Sequence, residues 1–328
     1  MSAKAFLYDG IPDIGYGTNN PVFVVGSPRS GTTLLVELIR KYFNINFGTE
    51  SQFIVPYYKR LSAFGDLSDP QNMHRLIQSL AKERCFGRWK RQFGFSLETD
   101  RLNHEIQSPT FRGVLDAIFR QFANYAGRIR WGDKYPAHCL DMPVLEALYP
   151  EAQYIHIIRD GRDVGLSLQH VNFGPKNMLQ AAKFWKTHVM SAMTFGQNLP
   201  QTRFHEVRYE SLLKDSVGVM TQLADFLQIK KGFKEVITRI EQQVGDDLLP
   251  DNCWKWEKGL SQDQIAEFEN GAGDLLKNLG YEVHFPQWKK PSLVKKAASY
   301  LDNVYRCFSH PGYLRHVLET KRAWSHRP

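Results

Sequence analysis

The sequence is poor in cysteine, and its four cysteines (Cys85, Cys139, Cys253 and Cys307) stand far apart with no C-x-x-C spacing. That pattern argues against a zinc site or a disulfide framework and makes buried free thiols the expectation. Long apolar runs are also missing, and no stretch approaches the roughly 20 residues that cross a bilayer. The opening MSAKAFLYDGIPDIGYG lacks the apolar core of a secretory signal, so a cytoplasmic protein is expected. There is no H-E-x-x-H, G-x-S-x-G or G-x-G-x-x-G, and no acidic cluster is spaced for a metal. Zinc-peptidase, serine-hydrolase and dinucleotide-binding chemistry therefore lack their usual signatures.

What is present is a chain of 328 residues, 42% hydrophobic and 13% aromatic, enough for one large or two modest packed domains. The charge is uneven. Residues 286–328 hold nine Lys and Arg against Asp302 and Glu319, which accounts for +7 of the net +8. A nearly neutral domain, residues 1–285, is followed by a basic extension, residues 286–328, and no nucleic-acid partner is expected.

Short apolar runs at 22–25, 153–158 and 203–207 read as buried strands, each followed by a turn and a helical pattern. Alternation of this kind predicts an α/β fold with a central parallel sheet flanked by helices. Helical periodicity covers 73–84, 110–125, 177–195, 216–227 and 233–244. A further helix begins at a capping box, Ser261 with Gln264, and runs to Leu279 before Gly280.

The first strand leads into GSPRSGTT, Gly26 to Thr33, and then into a helical run. Strand, glycine-bearing loop and helix N-terminus together present backbone N–H groups and partial positive charge to an anion. Nucleoside triphosphatases carry G-x-x-x-x-G-K-[ST] here, the Lys reaching the β- and γ-phosphates. In this chain Thr32 takes the place of that Lys and the only cation of the loop is Arg29, which can fork across two anionic oxygens. A second strand ends in Arg159-Asp160-Gly161-Arg162-Asp163, with Ser167 eight residues beyond Arg159 on the following helix.

In this order, the two elements resemble the sulfotransferases that use 3′-phosphoadenosine 5′-phosphosulfate (PAPS), over about residues 21–281. The resemblance implies a P-loop-type fold in which Arg29, Ser30, Gly31, Thr32 and Thr33 grip the 5′-phosphosulfate. It implies that Arg159 and Ser167 hold the 3′-phosphate, and that Tyr209 and Lys255 contact the donor. The closest pattern joins bacterial sulfotransferases to the tyrosylprotein sulfotransferases. Those enzymes take a Glu in a G-x-E context as base, and here Gly48-Thr49-Glu50 supplies it. The same resemblance makes Lys134, in a K-x-P element, a stabiliser of the bridging oxygen and leaving phosphate. The product would be the 3′,5′-bisphosphate (PAP), and no metal is implied.

Other readings stay open at this point. Small-molecule sulfotransferases use a His base, for which His138 is the nearest candidate. His156, inside an apolar strand, reads as a core residue. A P-loop kinase or NTPase would need a cation near the β- and γ-phosphates and a magnesium ligand at a second strand end, and a non-enzymatic nucleotide-binding module at a membrane surface is the third possibility. The acceptor is a hydroxyl of a glycan, a phenol or a lipid-linked molecule, with residues 52–124 expected to wall its site. In the extension, Leu293, Ala297, Leu301, Val304, Tyr305 and Phe308 fall on one helical face with Lys295, Lys296 and Arg306 elsewhere. A second helical pattern covers 312–324. This tail packs on the domain or attaches the protein peripherally to anionic membrane.

Overall fold

The computed structural model describes residues 13–285, 292–310, 312–315 and 317–318. Its strands are Gly15–Tyr16 (β1), Val22–Gly26 (β2), Ile45–Phe47 (β3), Arg130–Lys134 (β4), Gln153–Ile158 (β5), Phe204–Arg208 (β6) and Ile229–Lys231 (β7). Strands β2 to β6 form one parallel sheet in the order β3-β4-β2-β5-β6, and β1 and β7 pair as a small antiparallel ribbon. The expected α/β architecture is therefore present.

Every residue of β2, β3, β4 and β5 is buried, as a sheet covered by helices on both faces requires. In β2 the two-residue period sorts side chains between two cores. Val22 and Val24 pack with the helix Thr32–Phe43 and the helices after β6, while Phe23 and Val25 pack with the helices between Ile54 and Leu148. A third core joins the helices Gly161–Leu168, Met178–Gly196 and Gln262–Asn278.

The strands at 22–25 and 153–158 appear as read, and that at 203–207 moves by one residue. β4, which no apolar run marks, pairs Gly132 with Val22 and Lys134 with Val24, which brings Lys134 to the strand's last position. The helical pattern at 73–84 appears as Pro70–Ala81, and a further helix, Arg84–Phe93, follows it. Asp69 caps the first through the N–H of Gln71, and Glu83 in extended conformation separates the two. Helix starts at Phe111, Met178, Gln262 and Leu293 are capped by Thr110, Asn177, Ser261 and Ser292, the Ser261–Gln264 box included.

After β2 the chain leaves toward the β3 edge, and after β5 toward the β6 edge, so a crevice opens beyond the C-terminal ends of these two neighbouring strands. The turn beyond β3 is held closely. A Cβ on Gly48 would stand 2.3 Å from the Trp89 ring, which stacks on Phe122 at 4.4 Å between centroids.

The helix Leu293–Ser309 lies on the helix Met178–Gly196 through polar contacts. Asn177 Nδ2 donates to Asp302 Oδ2 and to the Ser299 carbonyl, each at 2.8 Å, and the Lys176 N–H donates to Asn303 Oδ1 at 2.6 Å. The boundary read at 286–291, and residues 316 and 319–324 of the second short pattern, lie outside the described residues.

Gly48→Ala is expected to destabilise the protein by about 1–3 kcal/mol, since an added methyl must displace a packed indole. The shift of the urea midpoint measures it, and an unchanged midpoint would mean that Trp89 moves aside freely.

Candidate active site

The loop after β2 owes its path to two close approaches. A Cβ on Gly26 would lie 2.5 Å from the Ile157 carbonyl oxygen of β5, and one on Gly31 would lie 2.4 Å from the Tyr209 ring. Gly31 has φ 93°, and Arg29 takes φ 74°, a left-handed conformation that costs a non-glycine residue free energy. Gly31 opens the helix Thr32–Phe43 with no side-chain cap and no acidic residue in the first turn. The first N–H groups of that helix thus lack a side-chain partner and retain the partial positive charge of a helix N-terminus.

A cavity of about 310 Å³ opens at this loop, with Arg29, Gly31, Thr32, Thr33, Glu50, Arg159, Tyr209 and Asn252 among its lining residues. Arg159 stands at the end of β5 and is 8% exposed, with its guanidinium carbon 4.5 Å from the centre of the Tyr209 ring. It donates to Asp163 Oδ2 at 3.1 Å, to the Asn252 carbonyl at 2.8 Å and to the Arg29 carbonyl at 3.4 Å. Asn252 in turn donates to the Tyr209 hydroxyl at 2.7 Å. Burial lifts the Tyr209 phenol above its ordinary value, against the opposing pull of Arg159, so the ring beneath the cation is neutral. Arg29 Nε donates to Ser167 Oγ at 2.9 Å, which brings the two sequence motifs into direct contact.

Among the described residues, two buried donor groups in this neighbourhood have no hydrogen-bond partner: Arg159 Nε and the Ser30 hydroxyl. Unmet donors beside an uncapped helix N-terminus and two arginines suit a polyanionic ligand. Of the carboxylates in the lining, Asp247 is already paired to Lys41 at 2.7 Å. The other, Glu50, receives Lys134 Nζ on Oε1 and Gln52 Nε2 on Oε2, each at 3.1 Å. Lys134 also donates to Thr33 Oγ1 at 3.3 Å, so the end of β4, the turn after β3 and the anion loop meet at one ammonium group.

A second cavity, of about 290 Å³, lies beside the first and shares Thr33 and Glu50 with it. Lys134, Arg40, Arg88, Gln92 and Phe93 contribute to its lining. Arg88 braces the turn that carries Glu50, donating to the Glu50 carbonyl at 2.7 Å and to Thr49 Oγ1 at 3.3 Å.

The structure thus gathers Arg29, Gly31, Thr32, Thr33, Glu50, Arg159 and Tyr209 around one cavity, with Lys134 and Ser167 bonded to them and Ser30 buried in the loop. Lys255 is exposed and is not among the residues lining the cavity. His138 is 1% exposed, tied to Asp133 at 2.9 Å and absent from both linings. His156 pairs with Glu206 at 3.0 Å from within β5. Asp160 is fully buried and clamps Arg162 through both carboxylate oxygens, which leaves it turned away from any magnesium role. Among the described residues no group of three or more His, Cys, Asp or Glu is gathered to hold a metal ion.

Three contributors escaped the reading of the sequence. Asp163 sits four residues after Arg159 at the start of a helix, and that spacing was a usable signal. Asn252 and Arg88 reach the site from distant segments, and nothing local marks them.

The family profile described as "Sulfotransferase family" matches residues 21–234, about two thirds of the chain, and the chain belongs to that family. It is an enzyme, a sulfotransferase. It is similar to protein-tyrosine sulfotransferase A of Caenorhabditis elegans, 21% identical over 310 residues that cover 85% of this chain and 72% of the relative. It is also similar to omega-hydroxy-beta-dihydromenaquinone-9 sulfotransferase Stf3 of Mycobacterium bovis, 28% identical over 81% of this chain and 76% of the relative. A solved sulfotransferase domain from the curacin biosynthetic pathway matches 81% of this chain and 99% of its own length, at 18% identity and a TM-score of 0.49.

Gly31→Ala is expected to weaken binding of pyrophosphate, because the new methyl displaces Tyr209 and with it the guanidinium stacked on that ring. Titration calorimetry measures this, and unchanged binding would show that the loop backbone is not the anion cradle.

Proposed function

We propose that this enzyme moves a sulfuryl group from PAPS to an acceptor hydroxyl, with Glu50 as general base. The observation that carries the reading is the meeting of two cavities at Glu50. One is lined by the uncapped helix start, Arg29 and Arg159, and the other is braced by Arg88 and Phe93. The donor supplies an activated sulfuryl group and departs as the 3′,5′-bisphosphate.

The N–H groups from Gly31 to Thr33 and the Arg29 guanidinium suit the phosphosulfate end. Arg159, over the Tyr209 ring, suits the 3′-phosphate, and Ser167 orients Arg29 from the neighbouring helix. The Glu50 carboxylate takes the proton of the acceptor hydroxyl as its oxygen bonds to sulfur. Lys134, already within hydrogen-bond reach of Glu50, offers its protons to the oxygen on which negative charge builds. Lys255, exposed and outside the lining, has no part in this reading.

Arg159→Ala is expected to weaken binding of the 3′,5′-bisphosphate in calorimetry, and parental affinity would remove Arg159 from the donor site. Glu50→Gln is expected to keep that affinity while turnover of a sulfated product falls about 10²-fold or more. Near-parental turnover by Glu50→Gln together with an inactive His138→Ala would assign the base to His138.

A second proposal concerns where the acceptor is met. We infer that the helix Leu293–Ser309 attaches the enzyme to an anionic membrane surface, which favours a lipid-linked acceptor. Its inward hydrogen bonds come from Ser299, Asp302 and Asn303, with Cys307 buried and Val304 half-buried beside them, while Leu301, Tyr305 and Phe308 are exposed, Tyr305 with 73% of its surface. Lys295, Lys296 and Arg306 stand beside them, the charge pattern of an interfacial helix. Among the described residues no helix is long and apolar enough to cross a membrane, so the contact is peripheral. The full chain carrying Leu301→Ser, Tyr305→Ser and Phe308→Ser is expected to lose sedimentation with phosphatidylserine-containing vesicles while still binding the bisphosphate. A parent chain that never sediments with them, or that covers this face by dimerising, overturns the membrane reading.

A further inference from the structure

Away from the site, a cavity of about 510 Å³ lies where the helices Met178–Gly196 and Gln262–Asn278 meet the first turns of Leu293–Ser309. Its wall is apolar at Leu179, Met190 and Tyr300, and cationic at Lys183, Lys186 and Lys296. Asp274 is the one carboxylate in that lining, and it is engaged by Lys186 at 2.5 Å. Three ammonium groups against one carboxylate leave the cavity with a net charge of about +2, a strong attraction for an anion at the mouth of an apolar recess.

Shape and position narrow the ligand. On the helix Met178–Gly196, Lys183, Lys186 and Met190 recur at three- and four-residue spacing, so two lysines and an apolar side chain share the face that borders the cavity. The two long helices approach closely here. A Cβ on Gly271 would lie 2.7 Å from the Ala182 Cβ, so the floor beneath the lysines is tightly packed protein. Tyr300 and Lys296 belong both to the cavity and to the outward side of the C-terminal helix, where Tyr300 is 61% exposed. The cationic recess therefore opens beside the apolar residues that face solvent. A ligand that matches both carries a phosphate next to an apolar tail.

We propose that this cavity receives the phosphate-bearing headgroup of an anionic phospholipid, an inference that rests on the membrane reading of the C-terminal helix. Lys183 and Lys296 take the phosphate, Lys186 shares its charge between phosphate and Asp274, and Leu179 and Tyr300 border the first carbons of the lipid. Outward residues of the helix then enter the same leaflet, so headgroup capture sets the orientation of the enzyme and not merely its attachment.

The test uses the full-length chain and vesicles of phosphatidylcholine with or without phosphatidylserine. Lys183→Gln/Lys296→Gln is expected to weaken sedimentation with the anionic vesicles by about tenfold or more. Lys214→Gln/Lys234→Gln removes the same charge from exposed positions outside the cavity and is expected to leave binding near the parental value. Bisphosphate affinity, read by calorimetry, should be unchanged in both variants, which excludes misfolding. Glycerophosphoserine, the soluble headgroup, should compete with vesicles for the parent chain. Equal loss in the two double variants would mean that net charge alone drives binding and overturns the cavity site, as would binding unaffected by Lys183→Gln/Lys296→Gln. If the parent binds no anionic vesicle, the membrane reading fails first and this inference fails with it.

Discussion

The close approach of the loop after β2 to its two neighbours is the constraint on which the site depends. Backbone at Gly26 passes under the Ile157 carbonyl, and backbone at Gly31 passes against the Tyr209 ring. Any side chain at either place would push the loop outward, and the helix start at Thr32 would no longer face the cavity. The same packing sets Tyr209 where Arg159 can lie on it, and Arg159 reaches back to the Arg29 carbonyl. Steric exclusion at two glycines thus aligns an uncapped helix N-terminus, a strand-end arginine and an aromatic platform. The left-handed conformation of Arg29 belongs to this arrangement, since it accompanies a side chain directed toward Ser167 rather than along the helix.

Electrostatics then divides the labour. Around Arg29 and Arg159 the nearby carboxylates are already paired: Asp163 holds Arg159 from the side, Asp160 is spent on Arg162, and Asp247 binds Lys41 and Tyr42. Glu50 is the carboxylate common to both cavities, and its partner Lys134 stands between it and Thr33. Glu50 and Lys134, the proposed base and the proposed stabiliser of developing charge, are therefore neighbours before any ligand arrives. Their positions come from different parts of the sheet, β4 for Lys134 and the turn after β3 for Glu50. The parallel pairing of these two strands is what joins them.

The C-terminal helix inverts the usual division of an amphipathic helix. Its polar residues Asp302 and Asn303, and the carbonyl of Ser299, hydrogen-bond the domain, and most of its large apolar residues face outward. In this orientation the Lys176 N–H and the Asn177 amide, both buried on the domain side, find partners on the helix. The same orientation leaves an apolar stripe beside lysines, the combination that an anionic leaflet satisfies on both counts.

Much of this was legible in the residues themselves. Apolar runs bounded by turns identified three of the sheet strands, the capping box at Ser261 marked a helix start, and the glycine loop with Arg29 announced an anion. These are local properties, decided by backbone conformational preference and by which groups a helix end leaves unpaired. The start of a further helix at Arg84 was not visible, because Glu83 before it makes no side-chain cap, and the place of β4 was not, because it depends on register against β2. Asn252 and Arg88 entered the site, and Lys255 stayed out of it, for the same kind of reason. The sequence by itself determined which short segments could grip an anion and which could span the sheet. Tertiary structure alone decided which of the many charged side chains meet, because contacts such as Arg159 with Asn252, or Lys134 with Glu50, join segments far apart in the chain and exist only once the strands have paired.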